Sequence, residues 1–176
     1  GASADRMSQT HGLDPERRSR WRRGAAGERT TAALLEPLAL AGWVVLHDRR
    51  VPGMAANIDH LVASSNVVWV LDSKVWRGDI VLLGDGELWY ADAPVRDRVL
   101  VVAHIADAVR VALARRPDLA PMDVAAACVI QGAQAPGQSP AKVDGVVLLT
   151  PGQLVPHVTV RCPATFDASE LGHRLG

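Results

Sequence analysis

Four residues could carry chemistry in this chain: Glu28, Asp59, Asp72 and Lys74. Asp72-Ser73-Lys74 directly follows Val67-Val68-Trp69-Val70-Leu71, an apolar run typical of a strand covered on both faces. Strand side chains alternate between faces, so Asp72 and Lys74 should project together while Ser73 points away and offers its backbone carbonyl. Asp59 precedes Asp72 by thirteen residues, across Ser64-Ser65-Asn66, a spacing that a hairpin closes. Two carboxylates at the end of a buried strand are costly unless a cation neutralises them. A divalent ion such as Mg²⁺ or Mn²⁺ suits that place, because Mg²⁺ takes about six oxygens and is usually held by only one or two carboxylates plus waters and substrate phosphate. The expected protein ligands are Asp59, Asp72 and the Ser73 carbonyl. Lys74 would orient a metal-bound water and favour its deprotonated form, and Glu28 would orient water or complete the shell. This is the equipment of phosphodiester hydrolysis.

Each part has a plainer reading. Asp72 and Lys74 could form an exposed ion pair worth roughly 0–1 kcal/mol, and Glu28 could face solvent from a helix. His60 alternates to the face opposite Asp59 and finds no partner histidine at ligand spacing, so it reads as a packed or supporting group. Trp69 reads as core. Trp76 and Arg77 could touch substrate or pack an edge strand. Arg17, Arg18, Arg20, Arg22 and Arg23 fall within seven residues, either as a solvated helix face or as a phosphate-binding patch. Of the nineteen basic residues only Lys74 and Lys142 are lysine. A lysine kept in so arginine-biased a chain points to a specific use.

The elements that must position these groups follow from periodicity and breakers. Asp14 as N-cap and Pro15 at the first turn open a helix over 14–41, with Leu34, Leu35 and Leu38 on one stripe and Gly42 as its stop. Glu28 lies mid-helix after Gly24-Ala25-Ala26-Gly27, where small residues would let another backbone approach. Strands are expected at 43–47, 57–63 and 67–71, with a turn or loop at 49–53 and a small hairpin around Gly84-Asp85-Gly86. Val99, Val102, Ile105, Val109 and Leu113 mark a second helix over 95–116. Strands at 124–130 and 143–150 follow, separated by a Gly/Pro/Gln loop, then a short helix from Pro151 and a terminal one over 167–175. The order predicts an α/β layered domain with a central mixed sheet flanked by helices.

Bulk properties set outer bounds. The 176 residues suit one domain over 14–176, with 1–13 read as a leader or tag remnant. Net charge is zero, so bulk charge argues neither for nor against nucleic acid. No apolar run is long enough to span a bilayer and no secretory leader is visible, so a soluble cytoplasmic protein is expected. Cys128 and Cys162 stand apart with no Cys-x-x-Cys spacing, and Cys128 reads as a small core residue.

Gly24-Ala25-Ala26-Gly27-Glu28, Asn57-Ile58-Asp59-His60-Leu61 and Val70-Leu71-Asp72-Ser73-Lys74-Val75-Trp76-Arg77-Gly78 together resemble the NERD (nuclease-related domain) family, over roughly residues 22–115. Their order and spacing carry the likeness more than any one motif. The resemblance implies the restriction-endonuclease-like αβββαβ core of the PD-(D/E)XK nuclease superfamily. It implies that Asp59, Asp72 and Lys74 match catalytic positions and Glu28 a helix-borne acid. One position departs: Pro94-Val95 is followed by Arg96 rather than a glutamine, so no substrate contact carries over from that helix. The expected function is metal-dependent hydrolysis of DNA, with RNA, a homodimer or a protein partner left open. The alternative is a non-catalytic nucleic-acid-binding or protein-interaction module on the same fold.

Overall fold

The structure, a computed structural model, describes residues 14–51, 54, 56–133 and 140–160. The expected terminal helix over 167–175, Cys162 and the leader lie outside these residues, as does most of the Gly/Pro/Gln loop. Helix α1 (Pro15–Leu40) begins after Asp14 with Pro15 in its first turn, as expected, but Asp14 makes no side-chain capping bond. Three antiparallel strands follow: β1 (Val44–Arg50), β2 (Asn57–Ala63) and β3 (Val67–Val75). Short strands β4 (Ile80–Leu82), β5 (Leu88–Tyr90) and β6 (Ala93–Pro94) form a separate small sheet. Helix α2 (Arg96–Ala114) then crosses over to β7 (Asp123–Gln131), which runs parallel to β3. The chain closes with β8 (Ala141–Val143), β9 (Val146–Leu149) and α3 (Pro151–Thr159).

The main sheet has the order β1-β2-β3-β7-β9-β8 and is mixed, with β3, β7 and β9 parallel. Its centre is β3, whose residues Val67 to Leu71 are all buried. Their alternation divides the core in two. Val67, Trp69 and Leu71 pack with Leu35 and Leu38 of α1 and Leu154 and Val158 of α3. Val68 and Val70 pack with Val99, Val102 and Ile105 of α2 on the other face. The α/β architecture and the αβββαβ order are therefore as the sequence implied.

Two expectations need correction. Arg49 and Arg50 belong to β1, paired with Ile58 and Asn57, rather than to a loop. Strand hydrogen bonding carries the chain past Asp48, whose φ of 53° marks a local kink. The strand expected over 143–150 is instead the hairpin β8–β9, turned at Asp144-Gly145 with φ of 48° and 84°. Asp-Gly is the pair that favours a two-residue turn with positive φ at both positions. Arg96, the residue at the departing position, clamps this turn: its Nε and Nη2 each donate to Asp144 at 2.7 Å, and Nη1 reaches Glu87 at 3.3 Å. Its guanidinium thereby ties β8–β9 to the small sheet.

Candidate active site

The β2–β3 register pairs His60 with Leu71, so the next step along the ladder sets Asp59 opposite Asp72. Asp59 Oδ2 accepts a hydrogen bond from the Ser73 amide at 2.9 Å. The N–H and C=O of one strand residue leave the same edge, so the Ser73 carbonyl lies on the Asp59 side of β3. Lys74 Nζ stands 2.5 Å from Asp72 Oδ2, with the two side chains 21% and 18% exposed. That oxygen of Asp72 is buried and accepts no well-directed hydrogen bond. The three groups expected to converge are thus together at one end of β2 and β3, partly reachable from solvent.

The electrostatics record the crowding. Burial first, then the Asp72 charge, pushes the Asp59 carboxyl up to about 7, with Glu28 adding and the Ser73 amide and Lys74 opposing. Burial by itself would lower Lys74, but the Asp72 carboxylate outweighs it and the amine is held above its usual value. Glu28 is half-buried on α1, and its charge acts on Asp59. Cys128 lies beside Asp72 in the parallel β3–β7 register and is fully buried; burial and then the Asp72 charge push its thiol up.

The opposite face of β3 carries a polar chain that sequence reasoning did not foresee. His47 Nδ1 and His60 Nδ1 are 2.7 Å apart, and His60 Nε2 is 3.3 Å from Ser73 Oγ. Ser73 Oγ donates to Thr31 Oγ1 at 2.8 Å. Gln131 Nε2 donates to both Thr31 Oγ1 at 2.8 Å and the Gly27 carbonyl at 2.6 Å. His60 and Thr31 are almost wholly buried. His60 therefore does sit on the far face from Asp59, as alternation required. The chain ties α1, on either side of Glu28, to the Ser73 peptide that holds Asp59. Only the Gly27–Thr31 spacing, one helical turn, signalled it.

Gly27 is where the helix meets the strand: a Cβ there would collide with Val75 Cγ2, whereas one on Gly24 would meet open space. Close approach is thus the reason for one glycine and not for the other. Gly27→Ala should cost about 1–3 kcal/mol by overpacking and shift Glu28 away from Asp59. Gly24→Ala should stabilise by about 0.5–1 kcal/mol, as Ala for Gly does inside a helix. Thermal melts of the pair decide this, and equal effects would disprove the close-approach argument.

The basic residues divide. Arg20 and Arg23 line a cleft of about 390 Å³ with Arg77 and Arg98; Arg17, Arg18 and Arg22 are not among its walls. Trp76 borders it but is only 4% exposed and is stacked on Tyr90, with ring centroids 5.4 Å apart. Its indole packs against the small sheet, which is the packing alternative of the two readings its position allowed. The Arg77 amide donates to Tyr90 Oη at 2.8 Å.

Among the described residues no group of three or more His, Cys, Asp or Glu side chains is arranged to hold a metal ion. The donor set is instead two carboxylates and a carbonyl. It fits a hard, oxygen-seeking ion that keeps several waters, and the buried Asp72 oxygen, whose partner in this structure is the Lys74 ammonium, is the atom such an ion would share or take over. No helix among the described residues is long and apolar enough to cross a membrane. The family model for the nuclease-related domain, NERD, matches residues 23–125, more than half of the chain, from the turn of α1 before Glu28 to the start of β7. No curated protein and no solved structure matches the chain.

Proposed function

Because the chain belongs to the nuclease-related domain family, we propose that it is a divalent-metal-dependent nuclease hydrolysing DNA phosphodiesters at Asp59, Asp72, Lys74 and Glu28. The observation that carries this reading is the convergence of two carboxylates and one amine at a strand end, with a buried Asp72 oxygen lacking a directed hydrogen bond. Asp59, Asp72 and the Ser73 carbonyl would hold Mg²⁺ or Mn²⁺. When bound, the ion supplies Lewis-acid stabilisation of the phosphoryl charge and a more acidic water. The protein's own groups do the rest. Lys74 would direct its ammonium at the attacking water or a phosphate oxygen and stabilise negative charge there. Glu28 orients water from the helix side. The Ser73 amide holds Asp59 in place.

Incubating plasmid and linear DNA with the protein in Mg²⁺, Mn²⁺ or EDTA tests the proposal. Cleavage is expected with either metal, none with EDTA, and a loss of 100-fold or more on Asp72→Asn. The four arginines of the cleft favour one second reading, a nucleic-acid-binding module without catalysis. Salt-sensitive DNA binding with no metal-dependent cleavage, unaffected by Asp72→Asn, would establish it in place of the first.

A further inference from the structure

The arginine cleft does not end at Arg77. A second hollow of about 530 Å³ shares Arg77 and Tyr90 with it and continues over the outer face of the small sheet. That sheet is amphipathic. Ile80, Leu88 and Tyr90 turn inward to the core. Val81, Leu83 and Trp89 turn outward and are 48%, 44% and 37% exposed, with Val81 paired directly to Trp89. An open apolar face of this kind on a small sheet marks an interaction site.

The neighbouring cleft says what covers it. Arg20, Arg23, Arg77 and Arg98 converge from α1, the segment just after β3 and α2, with no acidic residue in the wall. None of the four forms an ion pair among the described residues. Four like charges facing one cleft repel unless an anion enters. The second hollow is different, because Asp79 and Asp92 border it. A run of phosphates would therefore stop near Arg77, and the apolar hollow beyond it suits an uncharged group such as a base. A phosphate-tracking basic groove beside an aromatic platform is the arrangement that binds single strands, whose bases are free to stack on protein. A duplex keeps its bases in its own stack and has no use for such a platform. Arg77 follows Lys74 by three residues, a chain span of at most about 11 Å, so one bound strand can reach both the cleft and the carboxylates.

We infer that the arginine cleft and the outer face of the small sheet form one binding surface for single-stranded DNA, with phosphates along Arg20, Arg23, Arg77 and Arg98 and an unstacked base on Trp89. This rests on the nuclease reading and names its substrate as a single strand or a frayed end.

Fluorescence anisotropy on the full chain in EDTA tests it, using a labelled single-stranded oligonucleotide, the matching duplex and an abasic oligonucleotide of equal length. The single strand should bind at least tenfold more tightly than the duplex. Trp89→Ala, a change at an exposed position, should weaken single-strand binding about tenfold and leave the abasic strand unaffected. Arg23→Gln with Arg98→Gln should weaken all three and flatten the salt dependence. Equal affinity for duplex and single strand, or unchanged single-strand affinity in Trp89→Ala, overturns the inference. So does a dimer that dissociates on Trp89→Ala without any change in DNA affinity, which would assign the face to a second copy. Cleavage assays on the same proteins separate the two claims. Intact single-strand preference without metal-dependent cleavage removes the nuclease and keeps the surface. Cleavage without a Trp89 effect does the reverse.

Discussion

Lys74→Met is expected to abolish cleavage while leaving Mn²⁺ binding as tight as in the parent or tighter. The reason is that ammonium and metal compete for one atom. Lys74 Nζ stands 2.5 Å from Asp72 Oδ2, which accepts no directed hydrogen bond from elsewhere. A cation held by that oxygen would compete with the amine for it, so removing the amine would remove a competitor. Catalysis suffers because the cation beside the two carboxylates is gone, and a positioned proton-transfer or charge-stabilising group contributes about 10²–10⁴-fold.

The same substitution has a separate signature in stability. Without metal it leaves Asp72 partly buried beside Asp59 and uncompensated. Breaking a fully buried pair costs about 3–5 kcal/mol; with side chains 21% and 18% exposed, solvent screening reduces this to about 1–3 kcal/mol. Metal-free Lys74→Met should therefore melt several degrees lower, and saturating Mn²⁺ should restore it. Lys74→Arg keeps the charge and should keep the stability, but its planar guanidinium cannot occupy the same point, so cleavage should stay low. Single-turnover rates, Mn²⁺ titration calorimetry and melts with and without metal read all three. A Lys74→Met protein that cleaves normally, or one that no longer binds Mn²⁺, would refute the competing-cation picture.

What was legible in the chain follows from the range of each signal. The apolar run Val67 to Leu71 followed by Asp-Ser-Lys needs only the two-residue period of a strand, and it placed Asp72, Ser73 and Lys74 on the faces they occupy. Asp59 needed one hairpin, which is still local. The helices carried their own stripes, and Val99, Val102, Ile105 and Val109 are buried as expected. The misreadings arose where a local signal was outweighed. Asp144-Gly145 is a turn pair set inside an apolar run, and the run hid the turn. Arg49 and Arg50 run into Val51-Pro52-Gly53 and so read as part of a loop, yet edge-strand pairing with Ile58 and Asn57 keeps them in β1.

The contacts that could not be read are long-range. Gln131 bonds to Gly27 and Thr31 across about a hundred residues, and it does so because β7 returns parallel to β3 through the α2 crossover. Sequence alone sets no register for a parallel pair, so Cys128 beside Asp72 was equally invisible. Arg98 joins the cleft for the same reason: α2 brings it there, whereas the sequence singled out only the Arg17–Arg23 cluster and Arg77. Of the five arginines in that cluster, Arg20 and Arg23 line the cleft and Arg17, Arg18 and Arg22 do not.

Lowering the pH from 8 to 5 is expected to weaken Mn²⁺ binding about tenfold per unit below about pH 7 and to leave it nearly flat above. Burial and the Asp72 charge hold the Asp59 carboxyl up to about 7. Below that value the group carries a proton that the ion must expel, so binding is linked to release of about one proton. Stability of the metal-free protein moves the other way. In the unfolded chain Asp59 ionises near 3.9, while in the native state it keeps its proton until about 7. Between about pH 4 and 7 the native state holds the extra proton, so this group's contribution falls as pH rises, by up to about 1.4 kcal/mol per unit. His60 acts with the opposite sign in an overlapping window. Burial and then His47 lower its pKa to about 3, so the unfolded imidazole takes up its proton first, and stability from this group is lost as pH falls below about 6.5. The Asp59 contribution is therefore read as the difference between the parent and Asp59→Asn, in which the acid-side gain and the metal affinity should vanish together. Calorimetry in two buffers of different ionisation enthalpy, at pH 6 and pH 8, counts the protons. About one released at pH 6 and close to none at pH 8 is the expected result. A Mn²⁺ affinity that does not change between pH 5 and 8 would mean that Asp59 is no ligand, and the hydrolytic site would lose one of its two carboxylates.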